Sequence, residues 1–404
     1  MNILYISYDG MTDSLGQSQV IPYLEGLSKL GHRFWLISCE KPVAFKKNKG
    51  LITGLLAASN ITWIPLVYHA KPPVISTVID VRKMMRAARK CIQHNEIEIL
   101  HCRSYIAAMV GLRMKQKLGT KFVFDMRGFW ADERLEGNIW SLSNPLFARV
   151  YRFFKRKEIA YFSEADYTIS LTDNGKQEIH SWNSIPNNPV PIQVIPCCAD
   201  LQHFAPRAAD TELQTELALA PETLVVSYLG SIGTWYLLDD MLRFFVHFLH
   251  RFPDSVLLFI TADKPQNIIA SAARYGIRES RLRIRRASRA DVPRYLSLSK
   301  LSLFFIKQSF SKKASSPTKM GEIMGMGIPI ICNSGVGDVG QIMAEMCPQA
   351  VTSGFANTDY ERILNHIDQI LALDSDTIRQ TAQKYYSLEE GVKRYAEVYS
   401  CLQK

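Results

Sequence analysis

No stretch of this chain stays apolar long enough to cross a membrane. Runs such as Leu51–Ala58 stop far short of the roughly 18 residues a spanning helix needs. The eight cysteines, at 39, 91, 102, 197, 198, 332, 347 and 401, contain no CxxC pair. Zinc-ribbon and thioredoxin-type chemistry are excluded on that spacing, and reduced core thiols in a cytoplasmic protein are expected. No GxxxxGK[ST] occurs, so a P-loop is absent. Solenoid-length repeats and low-complexity tracts are missing too. The N-terminus turns polar at Asp9-Gly10 after Met1–Ser7, which reads as an opening strand and not a signal peptide. Acid is scarce in one half: residues 1–200 carry 25 Lys and Arg against 17 Asp and Glu, whereas 201–404 carry 23 against 21. An anionic partner is therefore expected on the N-terminal half, whether phospholipid, nucleic acid or phosphorylated substrate.

What is present is ordinary globular composition: 404 residues, 47% hydrophobic and 21% charged, enough for two or three domains with separate cores. Short apolar runs alternate with amphipathic stretches. Strands are expected at Ile3–Ser7, Arg33–Ser38, Ile97–Cys102, Lys121–Asp125, Tyr167–Ser170 and Gln193–Ile195. Helices are expected at Ile21–Leu30, Val81–Ile92 and Ala107–Leu118, two of them stopped by Gly31 and Gly119. Arg207–Glu222 is polar and strandless and reads as a linker. Alternation then restarts with strands at Leu224–Leu229, Ser255–Thr261, Arg281–Ile284, Leu301–Ile306 and Ile328–Asn333, and ends in a helical tail, Asp376–Leu402. This pattern predicts two doubly wound α/β domains, 1–205 and 206–375, with a tail, 376–404, packing back toward the first. Ligands in such sheets sit at the strands' carboxyl ends, so paired domains place the expected site in a cleft between them.

The most informative chemistry lies in Ser309–Glu322. Ser316 is a candidate N-cap and Pro317 suits a first helical position. A helix N-terminus offers free N–H groups and partial positive charge to a phosphate. Lys319 adds a full charge in the first turn, unfavourable for the helix dipole unless an anion arrives. Glu322, one turn on, offers a carboxylate to a ribose diol. The loop Asp9–Gln19 and the loop Gly230–Tyr236 each follow a strand and can bring backbone close to a ligand, although Asp9–Gln19 lacks GxGxxG spacing. In Phe124–Arg134, charged residues and two aromatics, Phe129 and Trp130, follow an apolar strand and read as a site rim; Arg103 and Tyr105 hold the equivalent place one strand earlier. Asp374-Ser375-Asp376 has a metal-binding DxD form but reads as a helix start with Asp376 as N-cap. His247 and His250 lack a third ligand. Arg281–Arg289 lacks the interleaved aromatics of a nucleic-acid binder, and none of its modules is present.

Taken together these residues resemble the retaining GT-B glycosyltransferases of family 4 along essentially the whole chain. The resemblance is carried by the glycine loop after the first strand with Gly31-His32, by Val194–Asp200, by Gly230-Ser231, and most strongly by Lys319–Pro329. Ser315–Lys319, Asp125–Trp130 and Gly335–Asp338 are similar to a subgroup of surface-polysaccharide and antigen sugar transferases. The fold implied is α/β, GT-B. The implied reaction is metal-independent transfer of a hexose from a UDP- or GDP-linked donor to a glycan or lipid-linked hydroxyl. Beyond that donor the resemblance implies no cofactor and no metal. Gly16, Gln17, Gly230, Ser231, Lys307, Ser316, Thr318, Lys319 and Glu322 are implied on the donor side. Arg103, Tyr105, Asp125, Arg127 and Glu133 are implied on the acceptor side, with Lys319 and Arg127 as catalytic cations. Ala314 stands where many relatives have a second Glu, eight positions before Glu322. A nucleotide-sugar epimerase and a non-catalytic nucleotide-sugar-binding subunit remain alternatives. The basic stretches Lys41–Lys49 and Val81–Ile92 (Arg82, Lys83, Arg86, Arg89, Lys90) suit peripheral contact with an anionic membrane at its inner face.

Overall fold

Across residues 1–403, which the computed structural model describes, thirteen strands pair in parallel within two separate sheets. Strands of this kind are buried on both faces and read as continuous apolar runs, which is why most of them are visible in the sequence. The first sheet comprises β1 (Asn2–Ser7), β2 (Arg33–Glu40), β3 (Ile61–Val67), β4 (Ile99–Arg103), β5 (Lys121–Asp125), β6 (Tyr167–Ser170) and β7 (Ile192–Val194), in the order β3-β2-β1-β4-β5-β6-β7. The second comprises β8 (Val225–Leu229), β9 (Val256–Ile260), β10 (Leu282–Arg285), β11 (Leu301–Phe304), β12 (Ile330–Asn333) and β13 (Val351–Thr352), in the order β10-β9-β8-β11-β12-β13. Strand order reverses between β1 and β4 in one sheet and between β8 and β11 in the other. Those reversals open a crevice at the carboxyl ends of the strands, the usual ligand position in doubly wound sheets.

The chain divides into two units at places the composition does not mark. One unit holds Met1–Pro196, Phe310–Ser315 and Leu388–Lys404; the other holds Cys197–Ser309 and Ser316–Ser387. The expected linker 207–222 is part of the second unit. It forms the helix Thr211–Glu216, and Leu213 and Leu217 enter that unit's core. The tail is two helices, Ser375–Tyr386 and Leu388–Cys401, which lie in different units. The side chain of Asp374, not Asp376, caps the first of them, accepting from Thr377 N–H at 2.9 Å. Elements outside the sequence expectations include the helix Pro42–Ala58, the edge strand β3 and the basic helix Pro145–Glu164. The helix Pro42–Ala58 buries only Ile52 and Leu56, so its amphipathic signal is faint.

In the first unit the helix Ser104–Leu118 lies tightly on the sheet through Gly111. A Cβ there would stand 2.5 Å from Cys102 Sγ and 2.6 Å from the Phe122 ring, both fully buried. In an exposed helix, Gly to Ala gains about 1 kcal/mol; here overpacking, at about 1–3 kcal/mol, outweighs that gain. Gly111→Ala is expected to lower the urea unfolding midpoint, and a raised midpoint would show that this contact yields.

Candidate active site

In the second unit, the crevice between β8 and β11 is built around one cation. Gly230 follows β8 with φ +106°, and the loop beyond it is pinned to the exit of β11: Lys307 N–H donates to Trp235 O at 2.8 Å and Leu237 N–H to Phe305 O at 3.0 Å. This turns the Tyr236 ring toward Lys319, in the first turn of the helix Thr318–Gly325. Lys319 Nζ lies 3.6 Å from the centroid of Tyr236 and 4.2 Å from that of Tyr228, and it has no hydrogen-bond partner. A Cβ on Gly230 would stand 3.2 Å from the same nitrogen. A desolvated cation–π contact returns about 2 kcal/mol, against several kcal/mol for withdrawing an ammonium from water. The rings offset part of the cost. Burial therefore pushes the Lys319 pKa well below the ordinary lysine value, with Glu322 opposing.

Three residues on, Glu322 is also buried. Its Oε1 accepts from Arg289 at 2.9 Å. Burial raises its pKa, against the pull of Arg289, Lys319 and His203. No side chain caps the helix Thr318–Gly325. Pro317 stands at the N-cap in place of the expected Ser316, whose Oγ instead accepts from Cys197 N–H at 3.1 Å. Gly321 lets the helix approach Tyr386, where a Cβ would meet the Tyr386 Cβ at 2.8 Å. Gly335–Asp338 carried part of the family resemblance, but its glycine spacing was not read in the sequence. Gly335, Gly337 and Gly340 have GxGxxG spacing; the first two lie in the turn after β12 and Gly340 in the first turn of the helix Val339–Met346. Gly335 (φ +78°) and Gly337 (φ +46°) adopt backbone conformations suited to glycine.

In the first unit the charges at the carboxyl edge are already matched. Asp9, after β1, pairs with Arg103, the last residue of β4. Asp125, the last residue of β5, accepts from the Tyr395 hydroxyl at 3.1 Å, with His101 Nε2 at 3.5 Å and Arg127 at 3.8 Å. Burial raises the Asp125 pKa, but Arg127, His101 and Arg103 together leave it below the usual carboxylate value. Burial likewise lowers His101, which stays neutral against that carboxylate and meets the Tyr399 hydroxyl at 2.6 Å. Arg127 (φ +57°), two residues after β5, and Ser104 (φ +67°), directly after β4, hold left-handed backbone. Strain of this kind collects at functional edges.

Several expected site residues have other duties. Tyr105 is not on a rim: it is fully buried beside Phe124, Trp130 and Tyr161, with its hydroxyl on Glu158. Phe129 is a core residue stacked on Phe310. Glu133 pairs with Lys312 at 2.8 Å, and Glu136 accepts from the N–H groups of Phe310 and Ser311, so both acids anchor the segment 310–315. Ala314 in that segment is fully buried. A Cβ on Gly175 would stand only 2.8 Å from its own Cβ, which leaves no room for a Glu there. Gly16 is required by its own loop, where a Cβ would meet Gly10 O at 2.3 Å; Gln17 Nε2 donates to Thr12 O at 3.2 Å. That loop's N–H groups serve an internal anion, the buried Glu40 carboxylate, which accepts from Met11 at 2.7 Å and Thr12 at 3.1 Å. Ser231 leans on Asp263 at 3.4 Å, and Thr318 opens the Lys319 helix. Glu40, His101 and Arg289 were not anticipated. A charged or imidazole residue inside an otherwise apolar strand marked the first two.

Residues 19–203 match the family model described as Glycosyltransferase Family 4. No curated protein sequence matches the chain. A solved sucrose-phosphate synthase from Thermosynechococcus elongatus is similar with a TM-score of 0.75 at 14% identity, over 99% of this chain and 98% of the other. A glycosyltransferase from Rickettsia africae gives 0.71 at 13%, over 100% and 98%. The Anabaena protein HepE in complex with UDP-glucose gives 0.71 at 14%, over 99% and 100%. At these identities the likeness shows the fold, and the fold is GT-B.

A lysine with a depressed folded pKa has a definite linkage sign. Between that value and the ordinary lysine pKa of about 10.4, the unfolded chain holds a proton that the folded chain lacks, so stability rises with pH. Lys319→Met is expected to raise the melting temperature of the ligand-free protein near neutrality, with the advantage shrinking as pH rises through that window. A melting-temperature difference that does not change with pH would show Lys319 to be already compensated.

Proposed function

We propose, on the premise that fold and family match support a GT-B glycosyltransferase of family 4, that this chain transfers a hexose from a nucleotide diphosphate sugar to a hydroxyl acceptor with retention of configuration. The acceptor is a glycan or lipid-linked saccharide of cell-surface polysaccharide or glycolipid assembly. The observation that carries this reading is the buried, hydrogen-bond-free ammonium of Lys319 at the β8/β11 crevice, beside an uncapped helix N-terminus. A diphosphate bound there would restore the lysine's charge, which a low-dielectric site makes worth more than in water.

In the reaction the bond between sugar C1 and the diphosphate oxygen breaks while the acceptor oxygen bonds to C1 on the same face. The hydroxyl proton passes to the departing phosphate oxygen, so no protein base is needed. Lys319 and the N–H groups of its helix stabilise the developing diphosphate charge. Glu322, released from or shared with Arg289, accepts the ribose hydroxyls. The glycines at 335, 337 and 340 allow backbone to approach the phosphates, and Lys307 lies at the exit of β11. In the first unit Arg103, Asp125 and Arg127 would serve the acceptor side. The HepE complex favours a UDP-linked donor.

A thermal-shift panel of nucleotide sugars identifies the donor, since a tight ligand raises the melting temperature by mass action. With that donor, Lys319→Ala is expected to lower kcat by about 100-fold or more, the scale for losing one electrostatic stabiliser. Glu322→Gln is expected to weaken donor binding, read by calorimetry, with the smaller loss in kcat. Wild-type turnover in Lys319→Ala would remove the reading.

A further inference from the structure

Glu322 is not alone in its part of the second unit. Arg289 Nη1 donates to its Oε1 at 2.9 Å, and among the described residues no other group hydrogen-bonds this carboxylate. The acid is buried and the cation reaches it from the rim: the Glu322 side chain is 11% exposed and that of Arg289 32%. The loop 286–291 carries Arg289 from the end of β10 toward the helix Val292–Leu296. One turn holds the arginine at both ends. His203 Nε2 donates to Arg289 O at 3.1 Å, which puts the imidazole proton on that nitrogen. Phe204, fully buried, lies beside the guanidinium, its ring centroid 5.5 Å from Cζ. The turn is itself fixed. Asp200 Oδ1 accepts from the N–H groups of Gln202 and His203 at 3.0 and 3.1 Å. Arg379 bonds both Phe204 O and Gly325 O, the latter at the end of the Glu322 helix.

A buried carboxyl without a nearby cation takes up a proton instead of keeping its charge. Burial pushes Glu322 in that direction, and Arg289 opposes it more than Lys319 or His203 does. Lys319 is a poor substitute, since burial holds its own pKa well below the ordinary lysine value. The charge matters to a ligand bearing hydroxyl groups, because a hydrogen bond to an ionised acceptor is roughly twice as strong as one to a neutral acceptor. Geometry matters as well. Arg289 holds one end of the carboxylate through Oε1, and Oε2 takes no protein donor among the described residues. A guanidinium that merely plugged the site would need freedom to leave it. Arg289 is fastened instead through its carbonyl, its ring contact and Glu322.

We propose that Arg289 is a positioning residue for nucleotide recognition: it stays on Glu322 Oε1 when the nucleotide binds, holds the carboxylate charged and oriented, and leaves Oε2 to the ribose hydroxyls. The inference rests on the donor reading above. It adds that selection of ribose over 2′-deoxyribose runs through a residue that does not itself contact the sugar. The test is calorimetry of the full chain with UDP and 2′-deoxy-UDP, or with GDP and 2′-deoxy-GDP where GDP binds more tightly. The ratio of the two affinities reads the ribose contact alone, because diphosphate and base contribute equally to both. Lys319 and His203, which face the same carboxylate, are present in every variant, so their effect is common to all. The wild type is expected to favour ribose by about tenfold, the scale of one hydrogen bond to a charged acceptor. In Arg289→Gln the ratio should fall to about threefold at mildly acid pH, since the acceptor is then neutral. It should widen again at mildly alkaline pH, and change more with pH than the wild-type ratio does. Arg289→Met gives the same reading if Arg289→Gln does not fold, and Arg289→Lys, which keeps the cation, should restore most of the ratio. An unchanged ratio in Arg289→Gln, or an equal loss of both nucleotides at every pH, would overturn the proposal and leave the donor site standing. Tighter binding of both nucleotides would do the same by making Arg289 a plug. A wild type that binds ribose and 2′-deoxyribose forms equally overturns it by removing Glu322 from the sugar. Binding of neither nucleotide by the wild type would remove the donor reading itself, and the proposal with it.

Discussion

A lysine amine held out of water with no hydrogen-bond partner is the constraint from which the second unit can be understood. Lys319 sits in the first turn of a helix, where its charge opposes the dipole, and under two aromatic rings that return only part of its hydration. Everything around it maintains that arrangement. Gly230 leaves space above the nitrogen, the loop after it is bonded to the exit of β11, and Gly321 brings the helix down onto Tyr386. A fold selected for stability alone would place an apolar side chain at this position. A lysine kept there in spite of that cost is the feature on which the proposed donor site rests.

The first unit solves the same electrostatic problem in the opposite way. Its carboxyl edge carries Asp9, Glu40 and Asp125, and each meets a donor from the same unit: Arg103, the Met11 and Thr12 amides, and the Tyr395 hydroxyl with His101 and Arg127 nearby. The backbone amides that resembled a phosphate cradle after β1 are thus occupied by the protein's own carboxylate. This edge is rigid and internally neutralised. The helix Leu388–Cys401 contributes to this rigidity, because Tyr395 and Tyr399 tie it to Asp125 and His101.

Basic side chains are also exposed away from that edge, on the helices Pro42–Ala58 and Ile75–His94. There the lysines and arginines stand beside apolar side chains in solvent.

By itself the sequence determined the class of fold, because parallel strands buried on both faces are apolar nearly throughout, and runs such as Ile3–Ile6 and Val256–Ile260 show this directly. It also singled out Ser315–Glu322 as a candidate site, since a lysine and a glutamate beside a helix start are local features. Tertiary structure alone decided what those residues face. The rings of Tyr228 and Tyr236 lie more than eighty residues from Lys319 in the chain, Arg289 reaches Glu322 from another loop, and Tyr105 looked like a rim residue until its helix was packed on the sheet. The unit boundaries escaped local reading for the same reason. Segment 310–315 belongs with the first unit through Glu133, Glu136 and Glu178, contacts across more than a hundred residues that leave no mark on composition. Propensity and periodicity act over a few residues, whereas burial and charge pairing are set by which distant segments the fold brings together.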